Sequence, residues 1–213
     1  MSIGDAEIKT QERVIRFFKD PEILGYQYIG NLSDYQNKNI KEDRLRQYLR
    51  LKGYADKLID AAVMQLQQEA GNLSRGVYDA NKTVYSRLKY GIPVSESPEK
   101  PPVTVELIDE ANPLNNDFAI AEEVTVVEQQ EKRPDLVIYL NGIAVAVIEL
   151  KRSSISVSEG IRQNLTNQKD SFIRGFFTTM QFCMAGNESE GLRYGTLLTG
   201  EKFYMEWKDD GFK

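Results

Sequence analysis

The 213 residues are 41% hydrophobic, enough for one generous domain or two small ones, and no apolar run approaches the roughly 20 residues that cross a bilayer; with no leader pattern in MSIGDAEIKTQERV, a cytoplasmic location is expected. The absence of histidine and a single cysteine, Cys183, exclude Ser-His-Asp hydrolases, Cys-His proteases, His-dependent nucleases, His- or Cys-rich zinc sites and internal disulfides. The net charge of −5 counts weakly against a nucleic-acid protein, because residues 131–174 hold more Lys and Arg than Asp and Glu.

Residues 1–92 are predicted mainly helical. AEIKTQERVIRFFKD sets Ile8, Val14, Ile15, Phe17 and Phe18 broadly on one side, GYQYIG has the composition of a short strand, and KEDRLRQYLRLKGY ends at Gly53. ADKLIDAAVMQLQQEAG and VYDANKTVYSRLKYG follow, the latter stopping at Gly91. The proline-rich PVSESPEKPP, residues 93–102, marks a linker or long loop. From residue 103 to 213 the pattern changes to strands: VTVELID, DFAIAEEVTVV, PDLVIYL and IAVAVIEL. A helical SVSEGIRQNLTNQ comes next, then strands around Met180–Met184, Tyr194–Leu198 and Phe203–Trp207. This order implies an α/β core with a mixed sheet and a helical N-terminal part packed on it.

Chemistry concentrates in RPDLVIYLNGIAVAVIELKRS, two strands joined at Asn141-Gly142, a strong hairpin signal. The second strand is apolar on both faces, as a central strand would be, and ends abruptly in Glu149 and Lys151, which share a face. Asp135 joins them only in the right register. A two-residue turn would pair Asp135 with Ile148 and put it on the wrong face. A three-residue turn, Leu140-Asn141-Gly142 with Gly142 as the bulge, would pair it with Val147 and make Glu149 a diagonal neighbour. A nuclease site therefore predicts the bulged turn. Two carboxylates and a lysine on one face suit metal-assisted phosphodiester hydrolysis, Asp135 and Glu149 holding Mg²⁺ or, in substitution, Mn²⁺. Lys151 would orient or deprotonate the attacking water, or stabilise charge on the phosphate. Glu-x-Lys alone says little, since Glu7-Ile8-Lys9 and Glu206-Trp207-Lys208 match it, and a hairpin with charged, solubilising strand ends explains the pattern as readily.

The segments NDFAIAEEVTV, KRPDLVIYLNGIAVAVIELKRSSISVSEGIRQNLTNQ, FFTTMQFCMAGNESEGLRYGTL and EKFYMEW resemble, in that order and across most of the chain, the N-terminal endonuclease region of the restriction (R) subunit of type I restriction-modification enzymes. The resemblance implies a restriction-endonuclease-like core of the PD-(D/E)xK superfamily, with Asp135, Glu149 and Lys151 as its motif residues. It also implies Mg²⁺- and ATP-dependent cleavage of double-stranded DNA in a complex with methylation (M) and specificity (S) subunits. Related nucleases often carry a glutamine four residues before a tyrosine on the next helix. Gln163 fits, Asn167 replaces the tyrosine, and an exposed polar helix face explains Gln163 equally well. No GxxxxGK[ST] is present, so ATP would act in a motor outside this chain, and the end at Gly-Phe-Lys213 suggests the N-terminal portion of something larger.

Lys132, Arg133 and Arg152 flank the motif and could hold DNA phosphates, or simply be solvated strand ends. Asp117 and Glu122 or Glu123 could add a metal ligand, with charge on an edge strand as the plainer reading. Gln163, Asn164, Asn167 and Gln168 would line a polar groove or face water. AGNESEGLRYG reads as a turn between strands, and Cys183 as core. The rival to a nuclease is a non-catalytic module that keeps the fold for assembly or for holding DNA.

Overall fold

A computed structural model describes residues 3–208, with side chains from residue 8; the terminal Gly-Phe-Lys213 lies outside the described residues. Helix α1 (Ile3–Lys19) leads into strand β1 (Gln27–Asn31). Helices α2 (Glu42–Leu51), α3 (Asp56–Gly71) and α4 (Val77–Tyr90) follow, then β2 (Ile92–Val94) and β3 (Val103–Val105), which pair antiparallel across the proline-rich loop. Strand β4 (Phe118–Glu122) precedes the short pair β5 (Val126–Val127) and β6 (Glu131–Lys132). The hairpin of β7 (Leu136–Leu140) and β8 (Ile143–Leu150) leads to α5 (Val157–Asn167) and then β9 (Phe182–Asn187), β10 (Gly191–Gly195) and β11 (Met205–Glu206). Of AGNESEGLRYG, expected to be a turn, only residues 188–190 turn; Ala185–Asn187 end β9 and Gly191–Gly195 form β10.

The main sheet has seven strands in the order β1-β4-β7-β8-β9-β10-β11, parallel between β1 and β4 and between β8 and β9, and antiparallel elsewhere. The architecture is mixed α/β, and β8, expected to be central, is the middle strand. β1 belongs to the N-terminal ninety residues yet pairs with β4, so that part contributes to the sheet itself. The parallel β8–β9 step requires a crossover, which α5 supplies.

Each sheet face is covered. Ile120, Leu136, Ile148, Leu150 and Met184 face Ile15, Val14 and Phe18 of α1. Val137, Val147 and Cys183 face Phe176, Phe177 and Val77 on the other side, where Ala185 also meets Val157 and Ile161 of α5. The stripe expected on α1 is narrower than five residues, since Ile8 and Phe17 are exposed. No described helix is long and apolar enough to cross a membrane.

The β7–β8 connection differs from the expected bulged turn. Leu140 pairs with Ile143, so the turn is the two residues Asn141 and Gly142, both left-handed at φ 52° and 82° as a type I′ turn requires. Its surroundings hold it tight. Asn141 is wholly buried; its backbone and amide exchange hydrogen bonds with Asp117, and its side-chain nitrogen donates to the Leu107 carbonyl and to Asn116. A Cβ on Gly142 would lie 2.6 Å from the Lys41 carbonyl oxygen and 2.8 Å from the Leu45 nitrogen.

The register is shifted instead inside β8, where Tyr139 pairs with Ala144 but Ile138 pairs with Ala146, leaving Val145 as the extra residue of a β-bulge. The bulge sits where β8 changes its other neighbour: Ile143 bridges Ile40 and Ala144 donates to Asn39, whereas the Val145 carbonyl accepts from Gln181, just ahead of β9. Beyond the bulge Leu136 pairs with Ile148, so Asp135 lies opposite Glu149.

Replacing Gly142 with alanine combines a disfavoured left-handed conformation with two backbone clashes, and is expected to destabilise the fold by about 2–4 kcal/mol in urea unfolding. A loss below about 0.5 kcal/mol, the scale of an ordinary surface change, would show that the turn relaxes freely.

Candidate active site

The site forms at the end of the central strands, where Asp135 precedes β7 and Glu149 and Lys151 close β8. The bulge sets Asp135 across from Glu149 on one sheet face. Half-buried Asp135 accepts a hydrogen bond from the Leu150 N–H at 2.6 Å, which fixes its carboxylate against the end of β8. Lys151, also half-buried, donates to the Leu150 carbonyl at 2.9 Å, and its own N–H bonds Gly186 on β9.

Glu149 is 0% exposed and receives no hydrogen bond from any N–H or hydroxyl; the one polar group it meets is the carboxylate of Asp135. Burial above all, and then the charge of Asp135, push its pKa well above the ordinary carboxylate range, while the Lys151 charge pulls the other way. A buried carboxyl with no donor is among the costliest groups a fold can hold, and α5, packed directly over it, is what takes it out of water. A Cβ on Gly160 would lie 3.0 Å from the Ala185 Cβ and 3.5 Å from the Glu149 Cβ. Glycine is what lets the helix sit this close, and nothing in the sequence distinguished Gly160.

A second polar group borders the pair. Glu123, just beyond β4, has a left-handed backbone (φ 51°), a conformation that for a residue with a side chain costs on the order of 1 kcal/mol. Its carboxylate pairs with Arg133 at 2.7 Å and accepts from the Gln11 amide at 3.2 Å; the same amide donates to Glu122 at 2.9 Å. Glu122 also accepts from the Tyr28 hydroxyl at 2.6 Å, and burial, reinforced by that bond, pushes Tyr28 up to about 12. Gln11, buried on α1, went unnoticed in the sequence because an amide on a charge-rich helix looks like solvated surface.

The remaining candidates divide. Gln163 is half-buried on α5, one turn beyond Gly160. Arg133 is engaged by Glu123, Lys132 lies 4.9 Å from the centre of the Phe172 ring, and Arg152 is half-buried where the loop to α5 begins. Asp117 is at the opposite end of the sheet, paired through two hydrogen bonds with Arg44, so it is no neighbour of the site. The edge-strand explanation for Asp117 and Glu122 also fails, because β4 lies between β1 and β7. Asn164, Asn167 and Gln168 neither line a groove nor face water: all are buried, Asn164 donating to the Met184 carbonyl and Gln168 accepting from Leu198. Cys183 is buried and unbridged in the core, its thiol pushed up to about 12 by burial.

Comparison with known proteins matches the type I restriction enzyme R protein N terminus family over residues 7–203. The chain belongs to that family. Among individual relatives of this R-protein N-terminal region, a type I restriction enzyme endonuclease subunit (MjaIXP) from Methanocaldococcus jannaschii is 33% identical over 97 residues, 42% of this chain and 9% of the relative. The SsaAORF53P endonuclease subunit of Staphylococcus saprophyticus is 29% identical over 112 residues, and the SauMSSORF170P subunit of Staphylococcus aureus 27% over 111; each match covers 50% of this chain and 12% of the relative. The matches thus span only about a tenth of the length of these relatives, 9% to 12%.

Because the folded-state pKa of Glu149 lies above its unfolded value, the neutral carboxyl is the form the fold favours. The metal-free protein should therefore lose stability as pH rises from the ordinary carboxylate range through the raised value. Glu149→Gln removes the charge and offers an amide to Asp135, so at pH 8 without metal it should be more stable than wild type by about 1–3 kcal/mol. The advantage should fade below pH 4, and thermal melts across that range measure it.

Proposed function

We propose that this chain is the metal-dependent endonuclease module of a type I restriction enzyme R subunit, with a restriction-endonuclease-like PD-(D/E)xK core that hydrolyses phosphodiester bonds of double-stranded DNA. The observation that carries the reading is Glu149, a wholly buried carboxyl that no N–H or hydroxyl reaches and that faces Asp135 at the end of the central strand. A divalent cation is the partner such a pair fits: Mg²⁺ takes oxygen ligands, needs one or two carboxylates, and retains several waters. Membership of the R-protein family supports nuclease chemistry over a structural use of the same groups.

In this reading Asp135 and Glu149 hold Mg²⁺, or Mn²⁺ in its place. When bound, the ion supplies Lewis-acid polarisation of the phosphate and lowers the pKa of water. The chain's own residues do the rest. The Leu150 N–H orients the Asp135 carboxylate, α5 keeps bulk water from Glu149, and the Lys151 ammonium, held at the Leu150 carbonyl, favours the ionised form of Glu149 and lies beside the site to meet charge on the phosphate. In this reading Lys132 and Arg152, both half-buried, would receive DNA backbone, and Gln163 of α5 would join the site. M and S subunits would be the partners of the assembled enzyme, and ATP-driven translocation would reside in a motor outside these residues.

Calorimetric titration with Mn²⁺ is expected to give one site, lost in Asp135→Ala and retained in Glu206→Ala, which removes the second Glu-x-Lys. In the assembled restriction complex, Lys151→Ala should cut DNA roughly 10²- to 10⁴-fold more slowly than wild type while still binding Mn²⁺. Mn²⁺ binding indifferent to Asp135→Ala, with cleavage indifferent to Lys151→Ala, would leave a non-catalytic assembly module as the better reading.

A further inference from the structure

Glu123 is tied to the catalytic pair through the backbone. Its N–H donates to the Asp135 carbonyl at 2.8 Å and the Val124 N–H to the Pro134 carbonyl at 3.0 Å, continuing the ladder beyond the Glu122–Leu136 pair. The register across β4, β7 and β8 therefore sets Glu123, Asp135 and Glu149 in one row. From the side chain, Arg133 and the buried Gln11 grip the two Glu123 oxygens separately. Toward Glu149, the Glu123 charge adds repulsion. The wholly buried Glu149 carboxyl, which no N–H or hydroxyl reaches, is the independent sign that a cation belongs there. Among the described residues Glu123, Asp135 and Glu149 do not form a three-carboxylate ligand set.

We propose that Glu123, clamped by Gln11 of α1 and by Arg133, is a positioning residue that strengthens divalent-cation binding at Asp135 and Glu149 from outside the ligand shell. Its carboxylate accepts hydrogen bonds from water that the ion retains, which orients that water and adds favourable field. Gln11 thereby makes α1 part of the site rather than a cover for the sheet. The inference rests on the metal-site reading above.

The test is Mn²⁺ calorimetry on the whole chain, with melting temperature recorded for each variant. Glu123→Gln keeps the side chain's shape and removes its charge; affinity should fall roughly tenfold with the melting temperature maintained or raised, the scale expected of an outer-shell partner. A merely structural role would move the melting temperature and leave affinity alone. Gln11→Ala, which releases one grip on Glu123 and touches neither ligand, should weaken binding in the same direction by a smaller factor, and it serves if Glu123→Gln does not fold. Asp135→Ala separates the two failures. If it abolishes binding while Glu123→Gln and Gln11→Ala bind as wild type, the positioning role is overturned and the metal site stands. If it leaves binding unchanged, the site reading falls and this inference with it.

Discussion

Val145 has no partner on β7, and that unpaired residue determines which side chains share a face across the whole β7–β8 pair. The tight Asn141-Gly142 turn alone would place Asp135 and Glu149 on opposite sides of the sheet, because alternation along a strand makes any odd shift a change of face. One bulge restores the match and brings the two carboxylates directly opposite each other. It sits where β8 passes from the 39–40 segment to β9, so the strand changes neighbours and register together. The turn is free to be short because the bulge, not the loop, carries the register.

Bringing two carboxylates together in this way creates a local liability that the rest of the molecule absorbs. Glu149 is sealed by Gly160 and α5 on its own face, and the strand it ends is flanked by β7 and β9. Val14, Ile15 and Phe18 of α1 pack on the opposite face, and Gln11 reaches the end of the sheet to bond Glu122 and Glu123. The buried amides Asn164 and Gln168 anchor α5 and the following segment to β9 and Leu198, so the helix over Glu149 is fixed by hydrogen bonds as well as packing. These contacts hold the two carboxyl groups and the helix over them in one fixed arrangement.

Much of this was legible in the sequence where a single dominant signal governs. The apolar run IAVAVIEL could only be a covered central strand, Asn-Gly announced the hairpin, and Glu149 with Lys151 stood out against it. The proline-rich segment marked the loop between β2 and β3. The bulge was not legible, because Val145 is as β-branched and apolar as the residues around it and the bulge arises from a change of neighbouring strand. Amides were misleading for a related reason: Gln11, Asn164 and Gln168 resemble solvated helix faces until the carbonyls and carboxylates they satisfy are seen. Arg133 looked like a DNA contact because its partner, Glu123, lies across a strand boundary.

The account rests on Asp135 and Glu149 forming one cation site, and the most direct measurement is an anomalous difference map from crystals of this chain soaked in Mn²⁺. It does not depend on whether the isolated chain cuts DNA. A peak is expected between the two carboxylates, bound by oxygens of both Asp135 and Glu149. Crystals that leave the site open to solvent yet show no peak there, or carboxylates on opposite faces of the sheet, would contradict it.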